Sequence, residues 1–185
     1  MTDSFAAEIW IGGQVSRTAR LYPDDLQDTT TVLQGLIAVL NSDGASHEFG
    51  EAEIPADCTE ADLLKYINEK GLLNLRDVQA RGGEFPETEQ FCLDNGIAYD
   101  RWSDHYAEYD SEKASWRPGM DSPMTVYSDS NGNEVVGGKL VREALELLQD
   151  SVKAKAAEAR AAAIRLLGKC CPPAPPKLKK FKIVD

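Results

Sequence analysis

The stretch Arg81–Met120, RGGEFPETEQFCLDNGIAYDRWSDHYAEYDSEKASWRPGM, sets both the expected fold and the expected site. Pro86 suits the first turn of a helix, where a missing amide costs nothing, and Asn95-Gly96 supplies its stop. Phe91 and Leu93 are the apolar residues between. Ile97-Ala98-Tyr99-Asp100-Arg101-Trp102 then alternates with a period of two and reads as a strand. That alternation puts Tyr99 and Arg101 on one face and Trp102 on the other. Ser115-Trp116-Arg117 reads as a further extended piece, ended by Pro118-Gly119.

Working outward, the predicted elements interleave. Glu8–Gly12 is a short strand closed at Gly12-Gly13. Tyr22-Pro23-Asp24-Asp25 has the chemistry of a helix start, and Leu26, Leu33, Leu36, Ile37 and Leu40 continue it to Asn41–Gly44. The triplet Thr29–Thr31 interrupts this run and moves the expected start toward Asp28. His47–Ile54 reads as a second strand. Thr59-Glu60-Ala61-Asp62 resembles a capping box opening a short helix that stops at Gly71. Leu72–Leu75 is a brief strand, and Arg81-Gly82-Gly83 is a turn. Met124–Tyr127 and Glu134–Val136 flank an Asn131-Gly132 tip, a hairpin pattern. Val141, Leu145, Leu148 and Val152 form a helical stripe expected to be buried, from about Lys139 and continuing into the alanine-rich 154–167. Cys170–Pro176 is a stiff extended linker. The tail Lys177–Asp185 alternates at Lys180–Ile183 and fits either an edge strand or a loose basic arm. Strands among short helices predict an α+β fold: one compact domain, a mixed β-sheet with helices mainly on one face, a long C-terminal helix and a Pro-rich basic tail. The boundary falls between an acidic domain, 1–168, and the linker and tail, 169–185.

Charge narrows the partners. Residues 1–125 hold 24 Asp/Glu against 9 Lys/Arg, a net of −15, while 126–185 hold 7 against 11, a net of +4. An acidic body repels duplex DNA and anionic membrane and attracts basic surfaces. The N-terminal sequence carries no basic leader and no long apolar run, which predicts a cytoplasmic protein without a signal peptide. The four cysteines match neither a metal knuckle nor a disulfide scaffold and read as reduced thiols.

The central stretch also holds the candidate site. It contains Trp102 and Trp116 of the three tryptophans, and Tyr99, Tyr106 and Tyr109 of the six tyrosines, among many carboxylates. Amphipathic aromatics and arginine dominate binding hot spots because they bury area and keep a polar tip. Arg101, Asp104, His105, Tyr106, Glu108, Tyr109, Asp110 and Arg117 are therefore the expected partner-binding residues. Asp100, Asp104, His105, Glu108 and Asp110 allow a second reading, a small metal-dependent hydrolase. No H-E-x-x-H, G-x-S-x-G or P-loop accompanies them, and no cofactor is expected. Asp129–Asn133 has part of a calcium-loop pattern but lacks its glycine and its closing Glu, so a hairpin turn accounts for it better.

Gly83-Glu84-Phe85-Pro86, Asn95-Gly96-Ile97, Asp100-Arg101, Ser103-Asp104, Tyr109-Asp110 and Arg117-Pro118-Gly119-Met120 resemble a family of small acidic bacterial proteins, some carried on mobile elements. The resemblance covers about a fifth of the chain. It implies a leaning toward host-conflict biology and brings no activity or residue roles with it. The expected function is an acidic binding or inhibitor protein, a DNA mimic or an immunity-type antidote. Its partner would be a basic surface on a nucleic-acid-binding protein, nuclease or defence complex, and a second copy of the chain is a further possible partner.

Overall fold

The computed structural model describes residues 4–25, 27–48, 52–104, 110–129, 131, 133–150 and 156–185. Strand β1 (Ser4–Gly12) lies between β3 (Leu73–Arg81) and β4 (Ala98–Ser103); β5 (Ser111–Trp116), β6 (Met124–Ser128) and β7 (Glu134–Val135) extend the sheet, giving the order β3-β1-β4-β5-β6-β7. Every junction in this six-stranded sheet is antiparallel. A separate parallel pair joins β2 (Gln14–Ser16) to β8 (Lys182–Val184). With the helices, the architecture is α+β.

Alternation fixes which side of the sheet is covered. Ala7, Ile9 and Ile11 of β1, Leu73 and Leu75 of β3, and Tyr99 of β4 share one face and are buried. Helix α1 (Val32–Ser42) and helix α3 (Pro86–Asp94) contribute Leu33, Leu36, Ile37, Leu40, Phe91 and Cys92 to the same core. The two helices approach closely at Gly35, where a Cβ would come within 2.8 Å of Phe91 Cε2. Glu8, Trp10, Asn74, Arg76, Asp100, Trp102 and Lys113 occupy the opposite face. There Glu8 Oε1 accepts from Asn74 Nδ2 at 2.8 Å and Arg76 Nε at 2.9 Å.

Several boundaries differ from expectation for local reasons. Helix α1 starts at Val32, a turn beyond the expected start near Asp28, because Thr31 and Gln34 form a reciprocal capping box. Leu26 lies outside the described residues. Strand β3 runs on to Arg81, past the expected end at Leu75; the pairing with β1 is irregular between Phe5 and Ala7, which disturbs the alternation of polar and apolar residues opposite. Of the strand expected over 47–54, residues 49–51 lie outside the described residues, and Ser46 and Glu53 form only an isolated bridge. Thr59 and Asp62 do form the capping box that opens α2 (Glu60–Leu63), and a 3-10 turn over Leu64–Tyr66 follows.

The C-terminal third contains α4 (Gly138–Asp150) and the longer α5 (Ala156–Cys170), which pack on one another through Ala144 and Ala163. Their small buried residues let the backbones approach, so the stripe expected to be buried is not: Leu145 and Leu148 are exposed, as is Ile164, and Val152 lies outside the described residues. Beyond them the chain returns to the sheet. Pro172, Ala174 and Pro175 border a groove shared with Trp102, Lys113, Met124 and Val126 on the open face. The tail is a docked strand rather than a loose arm. Phe181 is 4% exposed, its amide donates to Gly71 O at 2.8 Å, and Lys182 N donates to Gly13 O at 2.8 Å.

Candidate functional site at the ends of the sheet

Strand β4 delivers two of the expected contact residues inward. Its alternation points Tyr99, Arg101 and Ser103 toward the covered side, so Arg101 is only 3% exposed. Each of its three nitrogens meets an oxygen, two of them through hydrogen bonds. Nη1 donates to Gly83 O at 2.9 Å and Nη2 donates to Glu112 Oε1. Nε lies 2.8 Å from Glu89 Oε1 but off the line of its N–H bond, so that contact is an ion pair without hydrogen-bond geometry. Glu89 also accepts from the Phe85 amide at 3.1 Å and from Tyr99 Oη at 3.1 Å. Burial raises the Glu89 carboxyl above its ordinary value, against the opposing pull of Arg101, the Phe85 amide and Tyr99. The neighbouring Tyr99 hydroxyl is raised as well, by burial and then by the charge of Glu89.

Arg117 is likewise internal. Nη1 donates to Tyr99 O at 2.7 Å and Trp116 O at 2.8 Å, Nε donates to Pro176 O at 2.7 Å, and Nη2 lies 2.9 Å from Asp100 Oδ1. Both arginines expected at a contact surface are therefore parts of the scaffold. Trp116 belongs to the core, with Nε1 donating to Met120 O at 3.2 Å.

The remaining expected residues sit on the β4–β5 connection. Asp104 and Asp110 are exposed at its two roots. His105, Tyr106, Glu108 and Tyr109 lie outside the described residues. The register carries other carboxylates to this end of the sheet. Ser111 pairs with Ser128, which sets Asp129 beside Asp110. Gly83 packs on Ser103, which brings exposed Glu84 close enough for its charge to act on Arg101 and Glu89. Arg81 ends β3 at the same side. The Asp129 carboxylate accepts from the Asn131 and Asn133 amides, each at 2.9 Å, and its pKa is lowered, first by the Asn133 side chain. These bonds make it the organiser of its own turn.

Of the residues in the hydrolase reading, His105 and Glu108 lie outside the described residues, and the strand separates Asp100 from Asp104. Asp100 is paired to Arg117, whereas Asp104 lies four residues along β4, about 13 Å away. Among the described residues no group of three or more His, Cys, Asp or Glu side chains could hold a metal ion. His47 stands apart, its ring 5.3 Å from that of Tyr66.

The opposite end of the sheet carries the other sign. Gly13, Gln14, Gly96, Ala98, Arg117 and Pro118 meet Pro176, Lys177, Lys179, Lys180 and Lys182 of the tail around a cleft of about 760 Å³. The charge asymmetry along the sequence thus becomes an asymmetry in space, with carboxylates where β4 ends and ammonium groups where β1 ends. Sequence reasoning found the acidic end through Asp104 and Asp110 but missed Glu89 and Glu112, the partners of Arg101. An inward-facing arginine on a strand was the available signal, since a buried guanidinium requires carboxylates nearby.

Among the described residues no helix is long and apolar enough to cross a membrane. Comparison with protein-family models, with curated proteins and with solved structures found no match.

Proposed function

We propose that this chain is a small acidic binding protein that engages a basic protein surface through the carboxylate end of its sheet. The partner is a protein whose basic face ordinarily meets phosphate: a nucleic-acid-binding protein, a nuclease or a defence complex, with the chain acting as a mimic or antidote in the cytoplasm. The observation that carries this reading is the disposition of the arginines. Arg76, Arg101 and Arg117 are held in pairs with Glu8, Glu89, Glu112 and Asp100, which leaves exposed Arg81 at this sheet end facing a larger number of exposed carboxylates. Glu84, Asp104 and Asp110 project there from separate chain segments on a rigid antiparallel frame. Dispersed, outward carboxylates steer a basic partner, whereas acid–base chemistry needs them gathered in a cleft.

The reading is tested by recovering partners from the native cell on immobilised wild-type protein and on the variant Glu84→Lys/Asp104→Lys/Asp110→Lys. A basic protein retained by the first and lost by the second is expected. Equal recovery on both would contradict the assignment of the interface to this end.

A further inference from the structure

The cleft between the β1 end of the sheet and the docked tail has a composition that the acidic face does not explain. Its lining holds Arg117, Lys177, Lys179, Lys180 and Lys182 and no carboxylate, in a chain whose net charge is −11. Arg117 is neutralised by Asp100, but among the described residues none of the four lysine ammonium groups has an ion-pair or hydrogen-bond partner. Like charges gathered without a counter-ion repel, and the arrangement persists because the backbone beneath is fixed. Lys179 O accepts from Gly13 N at 3.1 Å, Lys182 N donates to Gly13 O at 2.8 Å, and Phe181 between them is buried. Arg117 clamps the segment upstream by its bond to Pro176 O. Lys182 stands in β8 and Lys177, Lys179 and Lys180 on the held segment before it; all four are exposed, and the Lys180 stem packs beside Gly71.

Two further features suit a ligand. Gly13 (φ 97°) and Gly96 (φ 66°) border the cleft, and a Cβ built at either meets nothing within 4 Å, so the space beside them is open, although their amides already donate to Lys179 O and Leu93 O and leave anion binding to the lysines. The volume of about 760 Å³ falls in the range of small-molecule sites. Lysine binds phosphate as an adaptable point charge, which favours clustered phosphates over a single planar carboxylate.

We infer that this cleft binds a small polyanion bearing two or more phosphates, of nucleotide or oligophosphate size. A long nucleic acid is disfavoured because the acidic body flanking the cleft repels an extended backbone. This inference stands apart from the proposed protein interface, since the two sites occupy opposite ends of β4.

The test is calorimetric titration of the full chain with sodium triphosphate, with ATP lacking magnesium, and with a single-stranded oligonucleotide. Binding of triphosphate or ATP is expected, with affinity falling at least about tenfold in Lys177→Gln/Lys179→Gln/Lys182→Gln. The corresponding arginine variant should retain binding, which guards against a change in fold. Glu84→Lys/Asp104→Lys/Asp110→Lys should leave it in place, separating this site from the protein interface. No heat with either small probe at millimolar concentration would overturn the inference, as would binding that survives loss of the three lysines. Tighter binding of the oligonucleotide than of triphosphate would overturn the assignment to a small ligand.

Discussion

Arg117 Nε donates to Pro176 O over 2.7 Å, tying the end of β5 to the C-terminal tail. The same guanidinium holds Tyr99 O on the neighbouring strand. The tail is thus fastened at the mouth of the core, and Phe181 fills a position there with 4% exposure. Phe181→Ala should cost about 3 kcal/mol, the usual loss for a buried aromatic. For a chain of this size the melting temperature should fall by about 6–12 °C in calorimetry. A change of less than about 2 °C would mean that the tail contributes little to the fold.

Gly12 provides an independent probe of the same contact. A Cβ at this position would overlap Lys179 O and crowd Leu178 and Leu72. Gly12→Ala should therefore lift the tail without removing any side chain. Hydrogen exchange is expected to quicken at Gly13, Phe181 and Lys182, whose amides donate across this junction, while β4 keeps its protection. Unchanged exchange at those amides would show that the backbones are not in contact.

Arg101 lies between Glu89 and Glu112 with 3% exposure. Removing one partner of a buried ionic cluster leaves the others uncompensated. Arg101→Ala should cost about 3–5 kcal/mol in urea unfolding. Glu89→Gln should cost less, because Glu112 still pairs with the guanidinium. If Arg101→Ala proves as mild as a surface substitution, Arg101 belongs to a contact surface after all.

Two carboxyls should titrate in opposite directions. Burial raises Glu89, so its ionisation opposes folding: its contribution is fully present below the ordinary value near 4.3 and is lost as pH rises through the raised value. Asp62 is held at about 2, chiefly by its hydrogen bond from Lys65 and then by Thr59. Its contribution is present above the ordinary aspartate value and is lost as pH falls toward 2. Carboxyl carbon NMR should show a Glu89 midpoint above the reference and an Asp62 midpoint near 2. The stability gap between wild type and Glu89→Gln should shift against the wild type as pH rises through the Glu89 midpoint. A Glu89 midpoint below the reference would contradict the burial of this group.

The sequence was most legible where local chemistry alone decides. Pro86 and Asn95-Gly96 bound α3, and alternation over Ala98–Ser103 correctly set Tyr99 against Trp102, because neither depends on distant contacts. Helix α1 was placed too early because Pro23 and two aspartates mimic a helix start, while Thr31 makes the actual cap. The expected end of strand β3 at Leu75 falls short because the register with β1 shifts opposite Phe5 and Ala7, which breaks the polar–apolar alternation over the rest of the strand. The site followed the same pattern. Exposed Asp104 and Asp110 were visible from composition, but the fates of Arg101 and Arg117 depend on Glu89, Glu112 and Pro176, which only the fold brings within reach.

The most direct test of the proposed function is the salt dependence of the association rate between this chain and the basic partner recovered from its native cell. Exposed charges act over about 8 Å at physiological ionic strength, so steering should fade as salt rises. With wild-type protein the association rate is expected to fall steeply with salt. With Asp104→Lys/Asp110→Lys it should be at least about tenfold slower at low salt and nearly independent of it, with dissociation little altered. Identical rates and slopes for the two proteins would contradict an interface built on the acidic end of the sheet.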